Sequence, residues 1–152
     1  MIDMDIVSFE VAKLLKQKGF NELCRISYIP RICHNGEDIS FDEECDLRDE
    51  GREDEIEVID GGDTWESYNQ NSSNSDSQYA APSLWGMMEF ISDNYNLHIT
   101  TKPYVYEDGI GYVYEIYRIE RYKFSLVKSK TGFEKPDKAC DAAIKYVYEN
   151  LI

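Results

Sequence analysis

The residues from Asp42 to Asp63 are the most obvious candidates for chemistry in this sequence. Twelve of these 22 residues are Asp or Glu, and only Arg48 and Arg52 oppose them. They therefore carry −10 of the formal net charge of −14, so the acidity of the chain is local. Carboxylate oxygens attract hard cations such as Ca²⁺, which makes a metal site the first hypothesis to consider.

This stretch has the spacing of an EF-hand calcium loop, with one defect. If Asp46 takes the first position, then Gly51, Asp54 and Glu57 take the sixth, ninth and twelfth, as an EF-hand loop requires. Arg48 takes the third position, where an oxygen ligand is needed, and no amphipathic helices flank the loop. We therefore predict loose, nonspecific attraction of divalent cations and no dedicated metal site.

Three of the cysteines and one histidine are the candidates for zinc. Zinc sites present their ligands in close pairs, whereas the gaps between Cys24, Cys33 and Cys45 are eight and eleven residues. His34 adjoins Cys33, and adjacent residues rarely bind one ion together. The sequence thus predicts no metal and no other cofactor, and the cysteines, with Cys140, are expected to be reduced thiols.

His98 is the residue best placed for acid–base chemistry. It follows a predicted helix and begins the strand LHITT, a position that favours lining the helix–strand junction. No Ser-His-Asp or Cys-His signature accompanies it, and the chain has no P-loop or dinucleotide fingerprint. A small hydrolase that uses His98 is an alternative, and it requires a carboxylate or thiol beside His98 in a pocket.

A tyrosine-rich run is the best candidate for binding, because tyrosine is enriched at protein interfaces. Seven of the twelve tyrosines lie between Tyr95 and Tyr122. One face of their sheet must pack on helices, and the other could form an open surface. Alternatively, the rings only cover the sheet or pack under a loop. The predicted binding residues of the sheet are Tyr104, Tyr106, Tyr112, Tyr114 and Tyr117. By alternation, Tyr112 and Tyr114 share one face of their strand and Tyr117 projects to the other, while Tyr104 and Tyr106 share a face of theirs.

The acidic stretch is the second candidate for binding. Spaced carboxylates can imitate phosphates and occupy a basic groove, so a DNA-mimic inhibitor of a nucleic-acid-binding protein is an alternative function. The candidate residues are Asp42, Glu43, Glu44, Asp46, Asp49, Glu50, Glu53 and Asp54.

The elements that position these residues alternate between helical and strand patterns. Apolar residues recur at helical spacing in SFEVAKLLKQKGF, AAPSLWGMMEFISDNYNLHI and KPDKACDAAIKYVYENLI. Ser8 and Gly19 are predicted to cap the first of these helices, and Asn96 to end the second, whose apolar stripe Trp85 widens. Pro82 and Pro136 are expected in first helical turns. LCRISYIP and EIEVID alternate like strands. The stretch KPYVYEDGIGYVYEIYRIERYKFSLVKSKTG predicts an antiparallel meander, with reversals at Asp108-Gly109 and near Glu120 to Tyr122.

Strands joined by tight turns form antiparallel sheets, and amphipathic helices must bury their apolar stripes. We therefore predict an α+β fold: a two-layer single domain over residues 1–152, with about three helices packed on one face of an antiparallel sheet. Residues 31–78 are predicted to be an acidic and polar loop elaboration.

Charge and hydropathy disfavour several classes of partner. Lys and Arg form no cluster of the kind that phosphate binding needs, which disfavours direct binding of nucleic acid or of an anionic membrane. No apolar run has the length of a transmembrane helix, and no signal peptide is visible. We expect a cytoplasmic location in a bacterial host cell, and the sequence does not determine the oligomeric state.

Three stretches carry a resemblance to a known group. They are SFEVAKLLKQKGF, YAAPSLWGMMEFISDNYNLHI, and the strand YEIYRI ahead of KACDAAIKYVYENLI. Over residues 8–30 and 79–152 the chain resembles small uncharacterised proteins encoded by phages and prophages of gut Bacteroidetes. The group has no established activity, so the resemblance implies a phage or mobile-element origin. The chain departs from it at Pro82-Ser83-Leu84, where a Thr-Gln pair is common, and in the acidic residues from Glu37 to Asp63.

Together, these observations predict a phage or prophage accessory protein that is not an enzyme. Its predicted partner is a host or phage protein, bound through the sheet face or through the acidic stretch.

Overall fold

The structure is a computed structural model that describes residues 5–30, 33–34, 37–38, 56–60 and 78–152. Within these ranges the chain combines antiparallel sheets with helices, which confirms the predicted α+β class. By its internal contacts the chain divides into two compact units, Ser8–Pro82 and the combination of Met1–Val7 with Ser83–Ile152. The single domain over residues 1–152 stays a prediction.

Helix α1 (Phe9–Gln17) opens the unit Ser8–Pro82 and has the predicted caps at both ends. The Ser8 hydroxyl accepts a hydrogen bond from the Val11 N–H at 3.3 Å. After the C-cap, Gly19 adopts a left-handed φ of 83°, and the N–H of Phe20 donates to the Leu15 carbonyl. This pairing is a Schellman motif, and the buried Phe20 side chain supplies its apolar contact.

The sheet of this unit has three short antiparallel strands. The central strand β1 (Ile26–Pro30) pairs with β4 (Ile56–Asp60) on one side and with β5 (Tyr79–Ala80) on the other. The predicted strand EIEVID is therefore confirmed as β4. Strands β2 (Cys33–His34) and β3 (Glu37–Asp38) form a separate two-stranded ladder. The Phe9 ring of α1 packs edge-on against the rings of Tyr28 and Tyr79, with centroids 5.6 and 5.3 Å away.

Helix α2 (Leu84–Tyr95) lies in the other unit and starts later than the sequence suggests. We expected Pro82 in the first helical turn, but Ser83 is the N-cap and its hydroxyl accepts from the Gly86 N–H at 2.9 Å. Asn96 ends the helix with a left-handed φ of 54°, as predicted. The expectation that Trp85 widens the buried stripe is wrong, because it lies beside that stripe and is 67% exposed.

The strands β6 (Leu97–Tyr106), β7 (Gly109–Glu120) and β8 (Lys123–Phe133) form the predicted meander in that order. The first turn is Glu107-Asp108, one residue before the predicted Asp108-Gly109, and Gly109 follows it with a φ of 155°. The second turn is Arg121-Tyr122, inside the predicted reversal. Strand β8 extends to Phe133, one residue beyond the predicted end at Gly132.

Helix α3 (Pro136–Tyr146) and a π-helical turn (Val147–Leu151) complete this unit. Pro136 occupies the first turn, as predicted. Helix α3 packs on all three strands of the meander, and α2 packs on β6. The buried residues of α3 and the turn are Ala139, Cys140, Ala143, Ile144, Val147 and Tyr148.

The pairing of β6 with β7 identifies the helix-covered side of the meander, because directly opposed residues project to the same face. Leu97, Ile99, Tyr114 and Ile116 belong to one face by this register, and all four are buried. Lys128 pairs with Ile116, and its ammonium lies 5.3 Å from the Tyr146 ring of α3. This side is the helix-facing face. We call the opposite side of the same sheet the open face.

None of the helices in the described ranges is long and apolar enough to cross a membrane.

One close contact on the open face explains why residue 111 is glycine. The Tyr106 ring lies over Gly111, and a Cβ added there would overlap that ring and come within 3.1 Å of the Phe133 carbonyl oxygen. The Tyr106 hydroxyl also accepts a hydrogen bond from the Gly132 N–H. The ring therefore joins all three strands.

We expect Gly111→Ala to lower the free energy of unfolding by about 1–3 kcal/mol, because a methyl group must displace a ring that is held at its far end. In a Tyr106→Ala background, the same substitution should cost much less. Urea denaturation of the four proteins of this cycle measures the difference. If Gly111→Ala costs the same free energy of unfolding in both backgrounds, the Tyr106 ring is not what excludes an alanine methyl group at residue 111.

Candidate functional site

The five tyrosines predicted to bind do not share one face. The register of β6 with β7 places Tyr104, Tyr106 and Tyr117 on the open face. Tyr112 and Tyr114 lie on the helix-facing face. Tyr114 is buried, and its burial raises the pKa of its hydroxyl. It therefore packs in the core and is no part of a binding surface, in contrast to the prediction.

The most exposed apolar residues of the open face lie at the end of the sheet next to the β7–β8 turn, and Tyr104 and Tyr106 lie at the opposite end. Phe124 is 69% exposed, and Tyr122, in the turn itself, is 87% exposed. Ile119 pairs directly with Phe124, and Tyr117 pairs with Leu126, so these four side chains project to one face. We call the group the aromatic patch. Its members are Tyr117, Ile119, Tyr122, Phe124 and Leu126.

The aromatic patch borders a shallow groove of about 650 Å³. The rings of Tyr117 and Phe124 meet edge to face there, with their centroids 5.3 Å apart. Beyond the patch residues, the groove is lined by His98, Thr100, Glu120 and Lys123. An apolar floor with a few polar groups at its margin is the arrangement found in binding sites for protein side chains.

A polar cluster on the same face positions Tyr117. The Lys102 ammonium lies 2.9 Å from one Glu115 carboxylate oxygen, and the Tyr117 hydroxyl donates to the other at 2.9 Å. The hydrogen bond from Lys102, and next to it the bond from Tyr117, lowers the pKa of Glu115. The hydrogen bond to Glu115 likewise raises the pKa of Tyr117. The cluster thus holds the hydroxyl of one patch residue in a fixed direction.

His98 lies on the open face, where it opposes Tyr117 and is exposed. It lines the groove with Glu120, and it also lines a smaller cleft of about 180 Å³ with Glu89 and Asp93 of α2. Carboxylates therefore lie near His98, but the described residues place no thiol in either cavity. The hydrolase alternative stays a prediction.

Cys24 and Cys140 are buried, free thiols. Burial, reinforced by Glu22, raises the pKa of Cys24 to about 12. Burial, with Asp141 as the next cause, raises that of Cys140 to about 12. Because the thiolate is the reactive form, neither thiol is suited to nucleophilic chemistry.

The acidic and metal hypotheses rest mainly on residues that the structure does not describe. All eight acidic candidates from Asp42 to Asp54 lie outside the described residues, and so does Cys45. Cys33 and His34 form strand β2, as far as their backbone shows. Among the described residues, no three His, Cys, Asp or Glu side chains come together in a way that could hold a metal ion.

Of the aromatic patch, Tyr117 alone is among the residues that the sequence predicts to bind. The signal for two others was the alternation in KFSL, where apolar Phe124 and Leu126 alternate with polar residues. Alternation shows that the two side chains share a face, but not whether the helices cover that face.

A second exposed apolar group lies beside the β6–β7 turn. It consists of Val105 and Ile110, which pair with each other and are 76% and 71% exposed.

Comparison of the chain with protein-family models, with curated proteins and with solved structures gave no match. The resemblance to phage and prophage proteins therefore stays a prediction.

We expect the carboxyl pKa of Glu115 to rise toward its ordinary value of 4.5 in Lys102→Met. Because folding lowers this pKa, the cluster stabilises the fold at pH values above the ordinary one, and this contribution is lost as the pH falls through the folded value. Carboxyl NMR titration measures the shift, with Lys130→Met, on the other face, as a control. An unchanged Glu115 pKa in Lys102→Met would contradict the assignment.

We expect the Cys24 and Cys140 thiols to alkylate about a hundredfold or more slowly at pH 8 in the native protein than in urea. Buried thiols with a raised pKa carry little thiolate, and the reagent cannot reach them. Peptide mapping by mass spectrometry resolves the four cysteines individually. If Cys140 is alkylated as fast in the native protein as in urea, the core beneath α3 opens readily and the prediction is wrong.

Proposed function

We propose that this protein acts by binding another protein through the aromatic patch, and that it is not an enzyme. The observation that carries the proposal is the grouping of exposed apolar side chains at the β7–β8 end of the open face. Single exposed apolar residues are ordinary, but contiguous ones commonly mark interaction sites. Strand pairing makes this group contiguous.

The patch has enough apolar surface to supply the centre of an interface. Aromatic side chains bury roughly 150–250 Å² each, and full burial of one apolar side chain is worth about 1.5–3 kcal/mol. Tyr122 and Phe124 keep most of their surface exposed in this chain. A few such anchors account for most of the binding energy in typical interfaces.

The patch is also held in place before any partner arrives. Tyr117 and Ile119 belong to β7, which is paired on both sides. The Glu115 hydrogen bond fixes the Tyr117 hydroxyl, and the edge-to-face contact orients Phe124. Side chains that are already ordered lose less conformational entropy on binding, which favours affinity.

The biological setting follows from the sequence resemblance. We propose a phage or prophage accessory protein whose partner is a host or phage protein. The DNA-mimic alternative depends on the acidic stretch, and no described residue bears on it.

A photocrosslinking experiment tests the proposal. p-Benzoylphenylalanine replaces Tyr122 in the aromatic patch or, as a matched control, Val105 at the opposite turn, which is also exposed. Irradiation in a lysate of a gut Bacteroidetes bacterium should give a discrete adduct with another protein from position 122 and none from position 105. Adding Phe124→Ser should reduce that adduct about tenfold or more, since removing a central anchor costs upwards of 1–2 kcal/mol.

Phe124→Ser should leave the thermal midpoint nearly unchanged, because its side chain is mostly exposed. Equal adducts from both positions, or an adduct that Phe124→Ser does not weaken, would contradict the proposal. An adduct with a second copy of this chain, together with a dimer in light scattering, would contradict it as well.

A further inference from the structure

We infer that the partner binds as an extended acidic segment that adds a fourth strand to the meander along the edge of β8. This inference rests on the proposed function, because it specifies the chemistry of the segment that covers the aromatic patch. It follows from the sheet order, from the alternation of β8 and from the charges beside it.

The two edges of the meander differ in their ability to accept a strand. In the order β6-β7-β8, both β6 and β8 are edge strands. Strand β6 contains Pro103, whose ring and missing N–H oppose pairing, whereas β8 runs for eleven residues without proline. Within the described residues, β8 is paired only with β7. Its outer backbone groups are the kind of template to which extended peptides add.

Alternation along β8 connects this edge to the aromatic patch. Phe124 and Leu126 project to the open face, and Lys123 and Ser125 project to the other. An added strand lies about 4.8 Å from β8, and its side chains alternate in the same way. Every second residue of that strand would therefore contact Phe124 or Leu126, and an apolar residue is favoured there.

The length of the regular segment limits the length of the contact. The β7–β8 register shifts between Ile116 and Tyr117, so that Lys128 and Leu126 oppose these neighbouring residues and β8 holds one extra residue. Such a bulge interrupts regular pairing. The regular segment extends from Lys123 to Leu126, which suits a short strand of about four or five residues.

The charge beside this edge specifies an acidic segment. From Arg121 to Phe133 the chain has four basic residues and no acidic one. Lys123 is paired with Glu120 at 3.3 Å, in a highly exposed position. Arg121, Lys128 and Lys130 lie over aromatic rings, and this contact leaves their positive charge in place. A carboxylate-rich strand complements them, which increases both its association rate and its specificity.

The same charge argues against a second copy of the chain as the occupant. Two β8 strands placed side by side would bring six lysines into one pair of strands, with no acidic residue in either strand to oppose them. Lysines on an edge strand are a known protection against such self-pairing. The lysines therefore oppose pairing with a second copy of this chain and favour pairing with an acidic segment.

A designed peptide provides the test on the full-length protein. The probe is a capped peptide of about nine residues in which Glu alternates with Val and Tyr, so that residues flanking the short paired strand extend toward Lys130. One control peptide has proline at its centre, a second has Lys in place of Glu, and a short oligothymidylate tests for phosphate binding. We expect the Glu peptide to bind about tenfold or more tightly than either control peptide at low salt, and to weaken as salt rises.

Amide hydrogen exchange locates the peptide. Binding should slow exchange in β8 between Lys123 and Leu126, and leave the Pro103 edge of β6 unchanged. The double variant Lys123→Glu/Lys130→Glu should bind the peptide about tenfold less tightly, while Lys135→Glu/Lys138→Glu, which alters two exposed lysines outside the strand, should not.

Three outcomes would overturn the inference: equal binding of the proline peptide, no protection in β8, or oligothymidylate that binds and displaces the peptide. The failures of the two proposals are separable. If the Tyr122 adduct forms and depends on Phe124 but β8 shows no protection, the patch binds its partner without strand addition. If β8 is protected but no adduct depends on Phe124, the proposed function fails instead.

Discussion

The structural unit that contains the binding candidates depends on the pairing of strand β7 with both of its neighbours. Ten consecutive residue pairs join β7 to β6 without a shift, so every side chain of these two strands has a fixed face. Ile116, fully buried near the middle of β7, anchors this register, since a slip of one residue would move it to the open face. The packing of α2 and α3 on one face follows from that register.

Strand β8 pairs with β7 over most of its length, but its register shifts twice because it contains extra residues. Strand β8 carries one extra residue near each of its two register shifts, opposite Tyr112/Tyr114 and Ile116/Tyr117. Because the extra residue between Leu126 and Lys128 reverses the alternation, Phe124 and Leu126 project to the open face while Lys128 and Lys130 project to the helix-facing one. Without this bulge, one continuous alternation would put all four side chains on the same face. The bulge thus separates the apolar patch from Lys128 and Lys130.

In the proposed function, this separation gives the two surfaces different parts. The patch would supply burial energy, which is not directional, and the edge of β8 would supply the hydrogen-bonding groups and positive charge that select the partner. The Lys102–Glu115–Tyr117 cluster adds a fixed polar margin on the same face. Cys24 and Cys140 are buried, and this burial is the main cause of the raised pKa of both thiols.

The sequence by itself determined the elements whose signals are local. Ser8 and Gly19 mark the two ends of α1, Asn96 ends α2, and the meander has the predicted order. These features are predictable because caps, turns and alternation act between residues a few positions apart. Tertiary structure alone decided which tyrosines are exposed. Alternation correctly placed Tyr112 and Tyr114 on the same face of β7, but only the packing of the helices shows that this face is covered. Pairing with β7 likewise decided that Phe124 and Leu126 join Tyr117 and Ile119, because alternation within KFSLVKSKTGF does not show which face of the sheet the two side chains share.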